Sequence, residues 1–236
     1  MTETPAHPDP MEGRIARFED MRGRGTPIMF IDSVLPGHYR MNYAVIGDTA
    51  SENPDFTPMI TTPHKFQIGM FEAPPGNGPG WHTHDYVELF MPLSGRWRFL
   101  WSSDPEDPEP SAREAVLGPW DVISFPPDVM RRFENASGRN AWGFAVLDPH
   151  EHFTGPDPRW PAFMIEAAAE RGLRTDSHGR LVMPENLAEL EAEVSAHIAA
   201  GAVATGDGHA HGRPIPAARA GDGPVSAIGI TEEERQ

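Results

Sequence analysis

The sequence predicts an all-β fold, an antiparallel β-barrel flanked by a short N-terminal helix and C-terminal helices, and three observations carry that expectation. Between residues 66 and 147 short apolar runs alternate with Gly- and Pro-rich turns, the texture of many short strands closing a sandwich or barrel. Aromatic residues concentrate between Phe71 and Phe144, which supplies a core. Within residues 80–95, His82, His84 and Glu88 share one parity, so an extended strand would project all three from the same face.

Residues 1–10 read as a flexible lead. Over 11–22, Ile15, Phe18 and Met21 recur at roughly helical spacing among Arg14, Arg17, Glu19 and Asp20, so a short amphipathic helix is expected, stopped by Gly23 and Gly25. Ile28-Met29-Phe30-Ile31 and Tyr43-Ala44-Val45-Ile46 read as strands separated by Pro36-Gly37. The loop 74–80, Pro-Pro-Gly-Asn-Gly-Pro-Gly, admits no helix. Further strands are expected over 66–71, 86–93, 97–101, 115–117, 122–125, 132–134 and 142–147, with an exposed acidic excursion over 104–110. Beyond Phe153 the pattern turns helical, over 160–173 and 184–200. Leu187, Leu190, Val194, His197 and Ile198 mark one face of the second helix. Four regions result: a lead with a short helix (1–26), a barrel with extra N-terminal strands (27–153), a helical extension (154–201) and a Gly/Ala/Pro-rich tail (202–236).

Composition narrows the function. The 236 residues carry 19 Lys and Arg against 35 Asp and Glu, a formal charge of −16. Binding nucleic acid or an anionic membrane needs cationic side chains against phosphate, so neither is an expected partner. The chain has no cysteine, which excludes disulfides, thiolate nucleophiles and Cys-based metal sites. The N-terminus lacks the apolar core of a secretory signal, and no apolar run approaches the ~20 residues of a membrane span. A cytoplasmic location is expected.

Two imidazoles and a carboxylate converging on one point are the ligand set of an open non-haem iron site, which zinc, manganese or nickel also uses. His82, His84 and Glu88 are therefore the expected metal ligands. Tyr86 has the same parity and is a candidate hydrogen-bond donor or acid/base. A barrel-filling aromatic is the alternative for it. Trp97, Phe99 and Trp101 alternate with Arg98 and Leu100 and read as core or pocket lining. His64, the His150/His152 pair and the His209/His211 pair read as solvated histidines. Gly76-x-Gly78-x-Gly80 leads into a strand, not a helix, so no phosphate cradle is expected.

These residues resemble the cupin superfamily. In its first motif a glycine leads to His-x-His, a Glu and a further Gly, and His82, His84, Glu88 and Gly95 match at the family spacing. Asp121, Pro126 and Asn135 fit the second motif. The resemblance covers about residues 64–148. Asp128 stands where the family usually has Gly, and Arg131 occupies the place of the fourth ligand, usually His. A guanidinium cannot ligate a cation. Either the metal keeps three protein ligands, or Arg131 pairs with Glu88 at a site without metal. An inward-facing Arg131 beside the metal would bind a substrate carboxylate or enolate.

The resemblance implies a jelly-roll barrel holding one divalent metal, iron(II) first, and a dioxygenase reaction on a small enolisable, aromatic or carboxylate-bearing molecule. Arg131 and Tyr86 are the expected catalytic residues. A metal-dependent lyase, isomerase or decarboxylase is the nearest alternative, and a non-catalytic ligand-binding protein the next. The resemblance also implies a homodimer.

Overall fold

A computed structural model describes residues 11–47, 50–148 and 157–203. All of them fall in one unit, spanning 1–206. The His150/His152 and His209/His211 pairs and most of the expected tail lie outside the described residues.

Chain order begins with the short helix α1 (Phe18–Arg22). The strands β1 (Met41–Ile46), β2 (Gln67–Ala73), β3 (Val87–Pro92), β4 (Trp97–Ser102), β5 (Arg113–Leu117), β6 (Ile123–Phe125), β7 (Met130–Asn135) and β8 (Ala141–Asp148) follow. Helix α2 (Ala162–Glu170), the two-residue strands β9 (Arg174–Thr175) and β10 (Leu181–Val182), and helix α3 (Leu187–Val203) complete the described chain. One sheet has the order β1-β2-β8-β3-β6, a second β5-β4-β7, and all pairings are antiparallel.

Period-2 alternation explains how these sheets face each other. In β8, Ala141, Gly143, Ala145 and Leu147 are buried while the residues between them are partly exposed, so one face is core and the other is not. Phe71, Phe90 and Phe125 of the larger sheet meet Trp97, Phe99 and Phe133 of the smaller in one cluster. Phe90 lies 4.8–5.7 Å, ring to ring, from Phe71, Trp97, Phe99 and Phe133, within the range of favourable edge and tilted aromatic pairing. Gly95, at φ +68°, makes the tight turn from β3 to β4.

The helices build a second core outside the sheets. Ile28, Ile31, Val34 and Tyr39 pack with Ala168 of α2, Leu181 of β10 and Leu190, Val194 and Ile198 of α3. Of the expected apolar face of α3, Leu190, Val194 and Ile198 are buried and Leu187 partly so, while His197 is exposed. No helix among the described residues is long and apolar enough to cross a membrane.

Three expectations are corrected. Residues 28–31 are not a strand: Ile31–Val34 forms a 3-10 turn. Ile28, Ile31 and Val34 recur every third residue and are all buried, which suits a three-residue period better than a two-residue one. The N-terminal helix is only Phe18–Arg22. Ile15 is exposed, so nothing packs on the preceding turn, and a helix that short draws its stability from packing. His82 and His84 precede β3 and are not part of one continuous strand with Glu88. His82 is held by an isolated bridge to Arg131, and Thr83 by one to Arg159.

Candidate metal centre

Glu88 sits in the middle of the larger sheet, opposite Phe125 of β6 and Leu147 of β8. Both neighbours belong to the core, so the pleat turns Glu88 inward with them. His82 exchanges both backbone hydrogen bonds with Arg131, at 3.0 and 2.9 Å. Directly opposed residues of an antiparallel pair project to the same face, which brings Arg131 to the same interior point.

His82, His84 and Glu88 are all buried, and one ligand atom from each lies within 4.8 Å of the others. Nε2 of His82 is 3.9 Å and Nε2 of His84 is 4.0 Å from Glu88 Oε2. A point equidistant from three such atoms is ~2.5 Å from each at most, so a contraction of a few tenths of an ångström reaches the 2.0–2.2 Å bonds of zinc-type sites. His82 Nδ1 donates to the Gly80 carbonyl at 2.7 Å, leaving Nε2 as the lone-pair atom. Gly80 is itself anchored, its N–H donating to buried Asp32 at 2.8 Å. Burial pushes the His82 imidazole below its ordinary range, which the nearby Glu88 carboxylate opposes without reversing. Together the two effects leave the ring favouring the uncharged form that can ligate. The donor set fits a divalent cation.

Asp157 is the residue sequence reasoning missed. Its Oδ1 accepts from His84 Nδ1 and its Oδ2 from the Tyr86 hydroxyl. It lies 73 positions from His84, in a loop with no periodic pattern, so no local signal marks it. Tyr86 is fully buried, and burial followed by the Asp157 charge raises its phenol well above the ordinary value.

Arg131 is fully buried and donates from Nε to Glu88 Oε2 at 2.9 Å and from Nη1 to the Val129 carbonyl at 2.9 Å. Its guanidinium lies over the Phe125 ring, 5.4 Å from the centroid. Nη2 is buried with no hydrogen-bond partner among the described residues. Burial alone would raise the Glu88 carboxyl, but the Arg131 charge beside it outweighs that and holds the group well below the usual carboxylate range. The ion pair anticipated as an alternative is therefore present.

The centre opens on a small cavity. His82, His84 and Glu88 line it, among mainly apolar walls that include Phe30, Tyr43, Met70, Phe71 and Trp160. Arg131 and Tyr86 are not among the lining residues. The lining cation is Arg40, clamped in two hydrogen bonds to Asp32 at 3.0 and 2.8 Å. Sequence reading did not single out Arg40.

The flanking motif residues are structural. Asn135 donates to the Ala73 and Arg139 carbonyls at 2.9 and 2.7 Å. Asp128 stands at φ +62°, a conformation glycine adopts freely and Asp more readily than most residues, which accounts for a glycine position tolerating it. A Cβ on Gly78 would lie 2.1 Å from the Phe133 carbonyl oxygen, so the glycine-rich run serves close backbone approach. His64 bonds the Thr62 carbonyl at 2.6 Å and takes no part in the centre.

No protein-family model matches the sequence, and no curated protein matches it. Solved structures similar to this chain include a polyketide cyclase from Streptomyces resistomycificus, 19% identical over 67% of this chain and 91% of that one, at a TM-score of 0.45. A cupin-2 domain protein from Rhodospirillum rubrum is 13% identical over 60% and 81%, with a TM-score of 0.39. A DMSP lyase from Ruegeria pomeroyi is 16% identical over 49% of both chains, with a TM-score of 0.37. The chain spans about half the length of the DMSP lyase structures it matches.

Proposed function

We propose that this protein is a cupin-type enzyme that binds one divalent metal, iron(II) first, through His82, His84 and Glu88, and oxidises a small, largely apolar molecule with dioxygen. One observation carries the reading: three buried donors converge at one point and face an apolar cavity. Two His and one carboxylate on a single side, with the remaining positions open, is the donor arrangement of non-haem iron oxygenases. When bound, the metal supplies Lewis acidity toward a substrate oxygen and an open position for dioxygen.

The chain's own residues do the rest. Gly80 and Asp157 orient the two imidazoles. The aromatic walls exclude water and hold an apolar substrate body, and Arg40 favours a substrate that also bears an anionic group. Arg131, buried behind the cavity wall, fixes Glu88 through Nε. The same three cavity-lining donors support a second reading, a metal-dependent lyase, isomerase or decarboxylase that stabilises an enolate without oxygen. A purely ligand-holding protein is less well supported, because the Arg131–Glu88 pair leaves His82, His84 and Glu88 all exposed to the cavity.

Metal analysis of protein purified without added metal, then oxygen-uptake screening of β-diketones, catechols, flavonols and keto acids, tests the proposal. Iron with oxygen consumption supports it. Metal-dependent turnover without oxygen consumption moves the assignment to the lyase class, and failure to bind any divalent ion overturns both.

A further inference from the structure

The geometry points to Asp157 as the positioning residue that completes the centre from outside the sheets. Resting on the metal-binding reading above, the inference is that this carboxylate holds His84 with Nε2 free for a cation.

A neutral imidazole ligates only through its unprotonated nitrogen, so each ligand His must carry its proton on Nδ1. The two histidines meet that requirement differently. His82 donates to a backbone carbonyl, Gly80, which is fixed by the chain itself. His84 donates to the side chain of Asp157. The Asp157 side chain is 8% exposed, and its second oxygen is taken by the Tyr86 hydroxyl. The Tyr86 ring also stacks on His84, centroids 4.9 Å apart at 19°. One carboxylate therefore accepts from both members of a stacked pair. That leaves neither oxygen free to rotate away and fixes the plane of the His84 ring.

The bridge between Thr83 and Arg159, with backbone hydrogen bonds of 2.9 Å in each direction, ties this segment beside the His-x-His run. Asp157 stands two residues before it. The centre thus draws on the chain beyond β8, and Tyr86 acts by holding Asp157, not by facing the cavity.

Full-length protein labelled with 15N on its histidines and stripped with EDTA provides the test. Long-range 1H–15N spectra should show both His82 and His84 with the proton on Nδ1. In Asp157→Ala, His84 should populate both tautomers while His82 keeps its own, and affinity for Zn(II) or Co(II) should fall 10- to 100-fold. Asp157→Asn is the same size and offers one acceptor oxygen to two donors. It should give a mixed His84 tautomer with a smaller loss of affinity, and it serves if the alanine variant does not fold. His84 remaining wholly on Nδ1–H in both variants, with cation affinity unchanged, would overturn the inference. If wild-type protein binds no cation, the metal reading fails, while the tautomer spectra still decide whether Asp157 sets His84.

Discussion

Replacing Arg131 with Met isolates the group that stands in the fourth-ligand position. The substitution keeps an unbranched apolar stem but removes the guanidinium bonded to Glu88, whose side chain is 6% exposed. It also strips the Val129 carbonyl of its donor. Deleting one partner of a buried ion pair costs about 3–5 kcal/mol, because the remaining charge is left uncompensated. For a domain of this size that lowers the melting temperature by roughly 6–20 °C.

The pH dependence has a definite sign. In the wild type the Glu88 carboxyl is depressed below its ordinary value of 4.5. Its stabilisation is present above that pH and lost as the pH falls toward the folded-state value. Without Arg131, burial dominates and raises the carboxyl, so the variant's deficit should be larger at pH 7.5 than at pH 5. A divalent ion would then be the sole counter-charge for Glu88 Oε2, and at a thousandfold excess over Kd it restores ~4 kcal/mol. Thermal melts followed by circular dichroism at both pH values, with EDTA and with added Mn(II) or Zn(II), measure each term. A metal-free Arg131→Met melt within a degree of wild type would refute the reasoning.

Three further outcomes are expected. His84→Ala should abolish divalent-ion binding and turnover together, read by calorimetric titration and activity; full activity would disprove the site. Burial pushes the Glu52 carboxyl up to about 8, against its hydrogen bonds from Trp160 and Ile31. A raised carboxyl stabilises most below pH 4.5 and loses that contribution as the pH climbs toward 8, at up to about 1.4 kcal/mol per unit. Glu52→Gln should flatten this slope in urea unfolding across that window, and an identical slope would show that Glu52 does not titrate there. Gly78→Ala drives a methyl into the Phe133 carbonyl and should cost about 1–3 kcal/mol or more. Gly138→Ala meets nothing within 4 Å and should leave the melt unchanged.

The readability of this chain follows the range of the forces involved. Strand β8 was legible because Trp142–Leu147 is a short apolar run bounded by turn residues on both sides, and such a run is a local signal. The three metal-site candidates were legible for the same reason, since they lie within seven residues of one another. What escaped depends on distant partners. Ile28–Ile31 has strand-like composition, yet helices more than a hundred residues downstream take its apolar side chains and impose a turn. Asp157 and the Asp32–Arg40 pair carry no pattern, because a single hydrogen-bonded carboxylate leaves no periodicity. Arg131 was identified by position, but whether it would grip Glu88 or face the cavity turns on rotamers that sequence does not encode.

The outer core has an implication for anyone dissecting this polypeptide. Ile28, Ile31 and Val34, which precede the main strands in sequence, interlock with Leu190, Val194 and Ile198, which follow them. Trimming either flank would strip the apolar cover from its counterpart and leave a greasy surface in water. A minimal fragment drawn around the eight main strands would therefore be prone to self-association, and the two flanks have to be kept or removed as one.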